Sequence, residues 1–262
     1  MLGAIAGDII GSLYEAHNIR HTDFPLFPPE ADFTDDTVLT VAVAEALLGE
    51  QDFRAALRRW YAKYPGRGFG GSFQIWARTP GSESYNSWGN GSAMRVSPVG
   101  WVAEDPESAL ELARASAAVT HNHPEGIKGA QAVALGILLA RKSADRHTIR
   151  TEIETRFDYR LDHDLNWLRE HYSFDVSCQG SVPQAISCFL QGKDFEDTVR
   201  KAVSIGGDSD TIAAMAGSLA EAFHGGVPDS ILQPTWDRLP TDMREVIAAF
   251  QKTFHTPGRV PE

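Results

Sequence analysis

Gly206-Gly207-Asp208-Ser209-Asp210-Thr211, continued by Ile212-Ala213-Ala214-Met215-Ala216-Gly217, is the stretch whose reading decides the fold. Paired glycines permit a tight, close-approaching turn. Ile212, Met215, Leu219 and Phe223 then recur at helical spacing, so a buried helix starts at the turn. The first turn of that helix carries carboxylates and hydroxyls and nothing soft, a donor set that suits a hard cation such as Mg²⁺ or Mn²⁺. Helix capping competes for the same residues, because Asp and Ser favour the N-cap and acids suit the positive end of the helix dipole.

Thr34-Asp35-Asp36-Thr37, at the mouth of the apolar run Val38–Leu48, repeats the arrangement far away in the chain. Capping needs one such group at each mouth, not several. If the two turns meet in space, Asp35, Asp36, Asp208 and Asp210 crowd one small volume. Like charges that close are tolerable with cations between them. The pair of turns therefore predicts a two-metal site between helix N-termini.

The 262 residues are enough for one domain with a substantial core, and 42% hydrophobic with 23% charged is ordinary globular composition. A formal net charge of −11 argues against a nucleic-acid backbone as partner, which requires a basic face. Met1–Ala16 is apolar but lacks a basic leader and contains Asp8, so it reads as a core helix and not as a signal peptide. No apolar run reaches membrane-spanning length. Cys178 and Cys188 read as reduced core thiols in a cytoplasmic protein, with a monomer as the expected state.

Gly3, Gly7 and Gly11 recur every fourth residue, which puts them on one helix face and predicts a close helix contact. Asp8 and Glu15 share a face of the same helix, as solvated acids or as a cleft-facing pair. Helices are expected over Phe53–Tyr64 with Asp52 as N-cap, Ala93–Val102, Asp105–Val119 with Pro106 at its first position, Ile127–Ala140, Phe195–Ile205 and Met243–Phe254. Lys142–Phe174 is charged and should form surface helices and loops, and Gln179–Pro183 reads as a turn before a helix over Gln184–Leu190.

Pro65–Gly91 is the least regular region, rich in Gly, Ser and aromatics, and a long structured loop of this kind is commonly functional. It ends in Ser87-Trp88-Gly89-Asn90-Gly91, where successive backbone N–H groups ahead of a helix can cradle phosphate, although ordinary turn chemistry uses the same residues. Trp88 can stack on a purine or simply pack. His121 and His123 have no cysteine or third ligand at zinc spacing, so a polar ligand contact or a capping turn is the better reading. With no convincing strand and no repeat, the fold class is all-α: a single compact orthogonal helical bundle over 1–254, followed by a flexible tail at 255–262.

Four ordered stretches, Gly7–His17, Thr34–Thr37, Gly89–Arg95 and Gly206–Ala213, together resemble the ADP-ribosylglycohydrolase family, which includes the dinitrogenase-reductase-activating glycohydrolases. The resemblance covers about Met1 to Phe254, and the Gly11–His17 and Ser87–Arg95 stretches look nearer to the ADP-ribosyl-serine hydrolase branch than to the arginine branch. It implies two Mg²⁺ ions (or Mn²⁺) held by Thr34, Asp35, Asp36, Asp208, Asp210 and Thr211. It implies Ser87, Trp88, Gly89, Asn90, Gly91 and His121 as substrate contacts, and Glu15 beside the scissile bond. The expected reaction is hydrolysis at the ribose anomeric carbon, with Glu15, Asp35 or Asp36 as general base or leaving-group assistant. The acceptor stays open between serine, arginine, a nucleic-acid end and an O-acyl ADP-ribose. Two other readings stay open as well: a non-catalytic ADP-ribose-binding protein, and a two-metal nucleotide pyrophosphatase.

Overall fold

The computed structural model describes residues 1–256, and these fold into α-helices joined by loops. In chain order the helices are α1 (Leu2–Ala16), α2 (Asp35–Leu48), α3 (Phe53–Lys63), α4 (Gly71–Arg78), α5 (Gly91–Met94), α6 (Ser97–Val102), α7 (Pro106–Ala118), α8 (Pro124–Arg141), α9 (Arg146–Phe157), α10 (Leu165–His171), α11 (Cys178–Gln191), α12 (Phe195–Ser204), α13 (Ser209–His224), α14 (Asp229–Asp237) and α15 (Thr241–Phe254). Among the described residues the sole β-pairing is an isolated antiparallel bridge between Gly89 and Ser177. The architecture is a compact helical bundle, as the periodicity requires.

The glycine face of α1 sets the geometry. A Cβ on Gly3 would stand 2.6 Å from Glu221 Cβ, one on Gly7 2.7 Å from Ala214 N, and one on Gly11 2.5 Å from Asp210 Cα. Only bare backbone fits between α1 and α13. The contacts run in opposite senses along the two helices, so α13 is antiparallel to α1 and its mouth lies beside the C-terminal half of α1. Every residue of α13 from Ser209 to Ala222 is buried, with α8, α11 and α12 packed around its other sides. α2 crosses the same end and is buried from Asp36 to Leu47 except at Glu45. One contiguous apolar core runs from Met1 to Phe250 and contains both free thiols.

Several expected boundaries move for identifiable reasons. Ala93–Val102 is two short helices, because Pro98 lacks the N–H that a continuous helix would bond to Met94 O. Gln179–Pro183 is not a turn: it lies inside α11, whose buried face (Val182, Ala185, Ile186, Phe189) outweighs the local cost of Pro183. α4 falls within the stretch read as irregular; Phe73 and Trp76 bury against α3, with Arg58 4.7 Å above the Trp76 ring. α14 was not expected after the Gly225–Pro228 break and packs on α1 through Ile231 and Leu232. Asp52 does cap α3, accepting from Ala55 N at 2.9 Å, and Pro106 does open α7. Among the described residues no helix is long and apolar enough to cross a membrane. Of the tail read at 255–262, residues 257–262 lie outside the described residues.

Candidate functional site

The two acid turns meet. Thr211 Oγ1 donates to Asp36 Oδ2 at 3.2 Å, joining the mouth of α13 to the mouth of α2. α1 fixes the junction from below. Asp8, fully buried, accepts from Thr34 N at 3.0 Å, Thr34 Oγ1 at 2.7 Å, Thr37 N at 3.0 Å and Thr37 Oγ1. The acid that the sequence left between solvated and cleft-facing is thus an anchor for the start of α2. Glu15, one helical stretch further along α1, places a carboxylate oxygen within 4.8 Å of oxygens of Asp208 and Asp210.

Capping does not account for these acids. Thr34 caps α2, accepting from Asp36 N at 3.3 Å, which leaves Asp35 and Asp36 free of that task. Asp208 occupies the N-cap position of α13 but makes no capping bond; its Oδ2 accepts instead from Asn90 Nδ2 at 2.6 Å. Asp36 Oδ1 is buried with no hydrogen-bond partner. Burial, reinforced by mutual repulsion, pushes the carboxyls of Asp35, Asp36 and Asp210 well above their ordinary value. Burial raises Asp208 too, and it raises Glu15 together with the charges of Asp208 and Asp8. Asp8 reaches about 6 despite its hydrogen bonds, again through burial. Crowded carboxylates, an orphaned buried oxygen and an all-oxygen donor set fit a hard divalent cation.

A cleft of about 370 Å³ opens above the cluster, within the range of small-molecule sites. Glu15, Thr34, Asp35, Asp36, Asp208, Asp210 and Thr211 form its floor, and Ser87, Gly89, Asn90, Gly91 and His121 one wall. Trp88 stands outside the lining and is 51% exposed. The Ser87–Gly91 wall is held by the Gly89–Ser177 bridge, with Asn90 N bonded to Val176 O at 2.7 Å and Cys178 N to Trp88 O at 3.0 Å. His123 is occupied elsewhere: it caps α8, its Nδ1 accepting from Glu125 N at 3.1 Å.

The opposite wall was missed by the sequence reading. Gly68, Gly70, Gly71 and Ser72 bring the N-terminus of α4 to the cleft, and Gly68 adopts φ +94°, where a Cβ would stand 3.2 Å from Asp35 Oδ1. The glycine run Gly66–Gly71 was the available signal. Exposed N–H groups at that helix mouth can receive anionic oxygen. Arg95, Tyr85 and Val176 also line the cleft without having been assigned a role, and Arg95 is the only lysine or arginine among the described residues that do so.

Comparison with known proteins gives the family. The family model described as ADP-ribosylglycohydrolase matches residues 1–258. The chain belongs to the ADP-ribosylglycohydrolase family. It is an enzyme of that class. Human "ADP-ribosylhydrolase ARH3" is 28% identical over 97% of this chain and 93% of its own length. A protein of Archaeoglobus fulgidus with no assigned activity is 30% identical over 91% of this chain and 90% of its own. "ADP-ribosylarginine hydrolase Tri1" of Pseudomonas putida is 24% identical, covering all of this chain and 78% of its own length. Among solved structures, a chain of an "ADP-ribosylglycohydrolase-related protein complex" superposes with a TM-score of 0.70 at 25% identity, covering 97% of this chain and 96% of that one.

Proposed function

We propose that this protein is a divalent-metal-dependent hydrolase that removes ADP-ribose from a modified acceptor, a protein side chain before a small conjugate, by attack of water at the ribose anomeric carbon. The observation that carries the reading is the junction of the two acid turns, with Asp36 bridged to Thr211 and one Asp36 oxygen left unpartnered. Thr34, Asp35, Asp36, Asp208, Asp210 and Thr211 would hold two Mg²⁺ or Mn²⁺ ions. Such ions supply Lewis-acid polarisation and orient the ribose hydroxyls.

The chain's own residues do the rest. Asn90 and Asp8 keep ligands in place, Asn90 by its bond to Asp208 and Asp8 by holding Thr34 and the start of α2. The α4 mouth and the Ser87–Gly91 turn face the diphosphate from two sides. Trp88, exposed between the cleft-lining Ser87 and Gly89, would stack on the adenine. Glu15 carries the proton role: it lines the cleft yet is exposed and reachable by water, and its carboxyl is raised by burial and by Asp208 and Asp8. A carboxyl so raised exchanges protons nearer neutrality than an ordinary one. Asp35 and Asp36 are buried and committed to the cluster. The Gly11–His17 and Ser87–Arg95 stretches favour serine over arginine as acceptor, and the acidic total lowers the weight of nucleic acid. Two buried free thiols suit a cytoplasmic setting.

The test is substitution. Asp210→Ala and Asp35→Ala are expected to abolish turnover while circular dichroism and thermal melting report a folded protein. Full activity of Asp210→Ala at limiting Mg²⁺ would overturn the metal assignment.

A further inference from the structure

Side chains just beyond α1 hold the backbone of the turn that opens α13. Asn18 stands one residue past His17, the C-cap of α1. Its Nδ2 donates to Tyr14 O at 2.6 Å and to Glu15 O at 2.9 Å, carbonyls of the last turn of α1. The same Nδ2 donates to Gly207 O at 3.0 Å, and Oδ1 accepts from Gly207 N at 2.6 Å. Arg20 adds bonds to Ile205 O and, at 2.9 Å, to Tyr172 O.

The partners fix every direction. A peptide N–H only donates and a carbonyl only accepts, so the Asn18 amide has one orientation. The last carbonyls of a helix need partners from outside its ladder. His17, at φ −123°, does not supply the left-handed closure that many helices use, and the Asn18 amide takes over that task. It also binds both polar groups of Gly207, in a turn where Gly206 and Gly207 adopt φ +68° and +74°. Tyr172 backs the turn, since a Cβ on Gly207 would stand 2.3 Å from its Cε1.

One amide thus joins the backbone of Glu15 to the residue before Asp208. The carboxylate oxygens of Glu15, Asp208 and Asp210 approach within 4.8 Å, and like charges at such spacing repel. Residues 15–18 are exposed, so packing does little to hold them there. We infer that Asn18 is a positioning residue that fixes the Glu15 carboxylate against the mouth of α13. Only the use of that carboxylate in proton transfer rests on the proposed reading. The other cleft walls, Ser87–Gly91 and the α4 mouth, are not held by Asn18, so its loss should slow the chemical step and leave substrate binding intact.

Two measurements test this. In wild-type protein without ligand, amide hydrogen exchange of Gly207 should be at least about a hundredfold slower than in an unfolded chain, and fast in Asn18→Ala. The second is a double-mutant cycle on an ADP-ribosylated serine peptide, with Mg²⁺ saturating so that a weaker ion site does not enter. Asn18→Ala should lower kcat about tenfold and leave KM within about twofold, and in a Glu15→Gln background it should lower kcat no further. A Gly207 amide that exchanges freely in the wild type overturns the inference, even if Asn18→Ala does not fold. So do an unchanged kcat in Asn18→Ala, and losses that multiply in the double variant, the signature of a structural effect independent of Glu15. A wild type that cleaves no ADP-ribosylated peptide would count against the functional reading, while Gly207 exchange still decides the clamp.

Discussion

Magnesium added to metal-free protein should stabilise it more at pH 8 than at pH 6. Burial and mutual repulsion hold Asp35, Asp36 and Asp210 well above the ordinary 3.8, and burial raises Asp208. In the metal-free native state these groups keep protons that the unfolded chain has released. Their folded values are raised, so the native state binds more protons, and stability from these groups is lost as pH rises through those values. Asp8 shows the scale: 3.8 unfolded against about 6 folded is worth about 3 kcal/mol. Cation binding needs the ligands deprotonated and therefore competes with the same protons. Each displaced proton weakens binding tenfold per pH unit below the ligand's folded value, about 1.4 kcal/mol. In a domain of this size that is about 4 °C of melting temperature per pH unit. Burial and then the Arg95 guanidinium hold His121 well below its ordinary value in the metal-free protein. The assay is paired thermal melts at pH 6, 7 and 8, with chelator or with a fixed Mg²⁺ concentration. Calorimetry in two buffers of different ionisation enthalpy counts the released protons. A metal-induced shift that is flat with pH, or larger at pH 6, would refute the reasoning, as would binding at pH 7 without proton release.

Three further outcomes follow from the packing. Gly7→Ala places a methyl against the Ala213 carbonyl and 2.7 Å from Ala214 N, where backbone cannot yield, and should cost about 3 kcal/mol in urea unfolding; an unchanged midpoint contradicts the α1–α13 seam. Asn90→Ala frees Asp208 from its 2.6 Å bond and should weaken Mg²⁺ affinity about tenfold to a hundredfold with the melting curve of the metal-free protein little changed, as seen by calorimetry. Cys178 and Cys188, fully buried with thiols pushed up to about 12, should resist a thiol reagent in native protein and both react in denaturant; rapid native labelling of either would contradict their burial.

The helix framework was legible wherever a long apolar period met a local punctuation mark. Gly3, Gly7 and Gly11 announced the contact that places α13, and the doubled acid turns announced the cluster, because few other arrangements require them. What escaped depends on tertiary context. Pro183 looks like a breaker until the buried face of α11 is known, and α4 is too short for its two buried aromatics to stand out from a glycine-rich loop. Asp8 was visible as an acid in an apolar helix, but its task needs Thr34 and Thr37, which come from another element. The bond from Arg95 to Thr120 joins residues distant in sequence and adjacent in space. Trp88 shows the converse: its place in a telling stretch did not put it in the cleft lining, and its ring is half exposed.

The most direct measurement is a product assay on two matched peptides, one ADP-ribosylated on serine and one on arginine, with EDTA, without it, and with EDTA followed by excess Mg²⁺. The expected result is release of intact ADP-ribose, from the serine peptide first, stopped by EDTA and restored by Mg²⁺. Release of AMP would move the chemistry to the pyrophosphate, and undiminished turnover in EDTA would contradict the metal-dependent centre on which the functional reading stands.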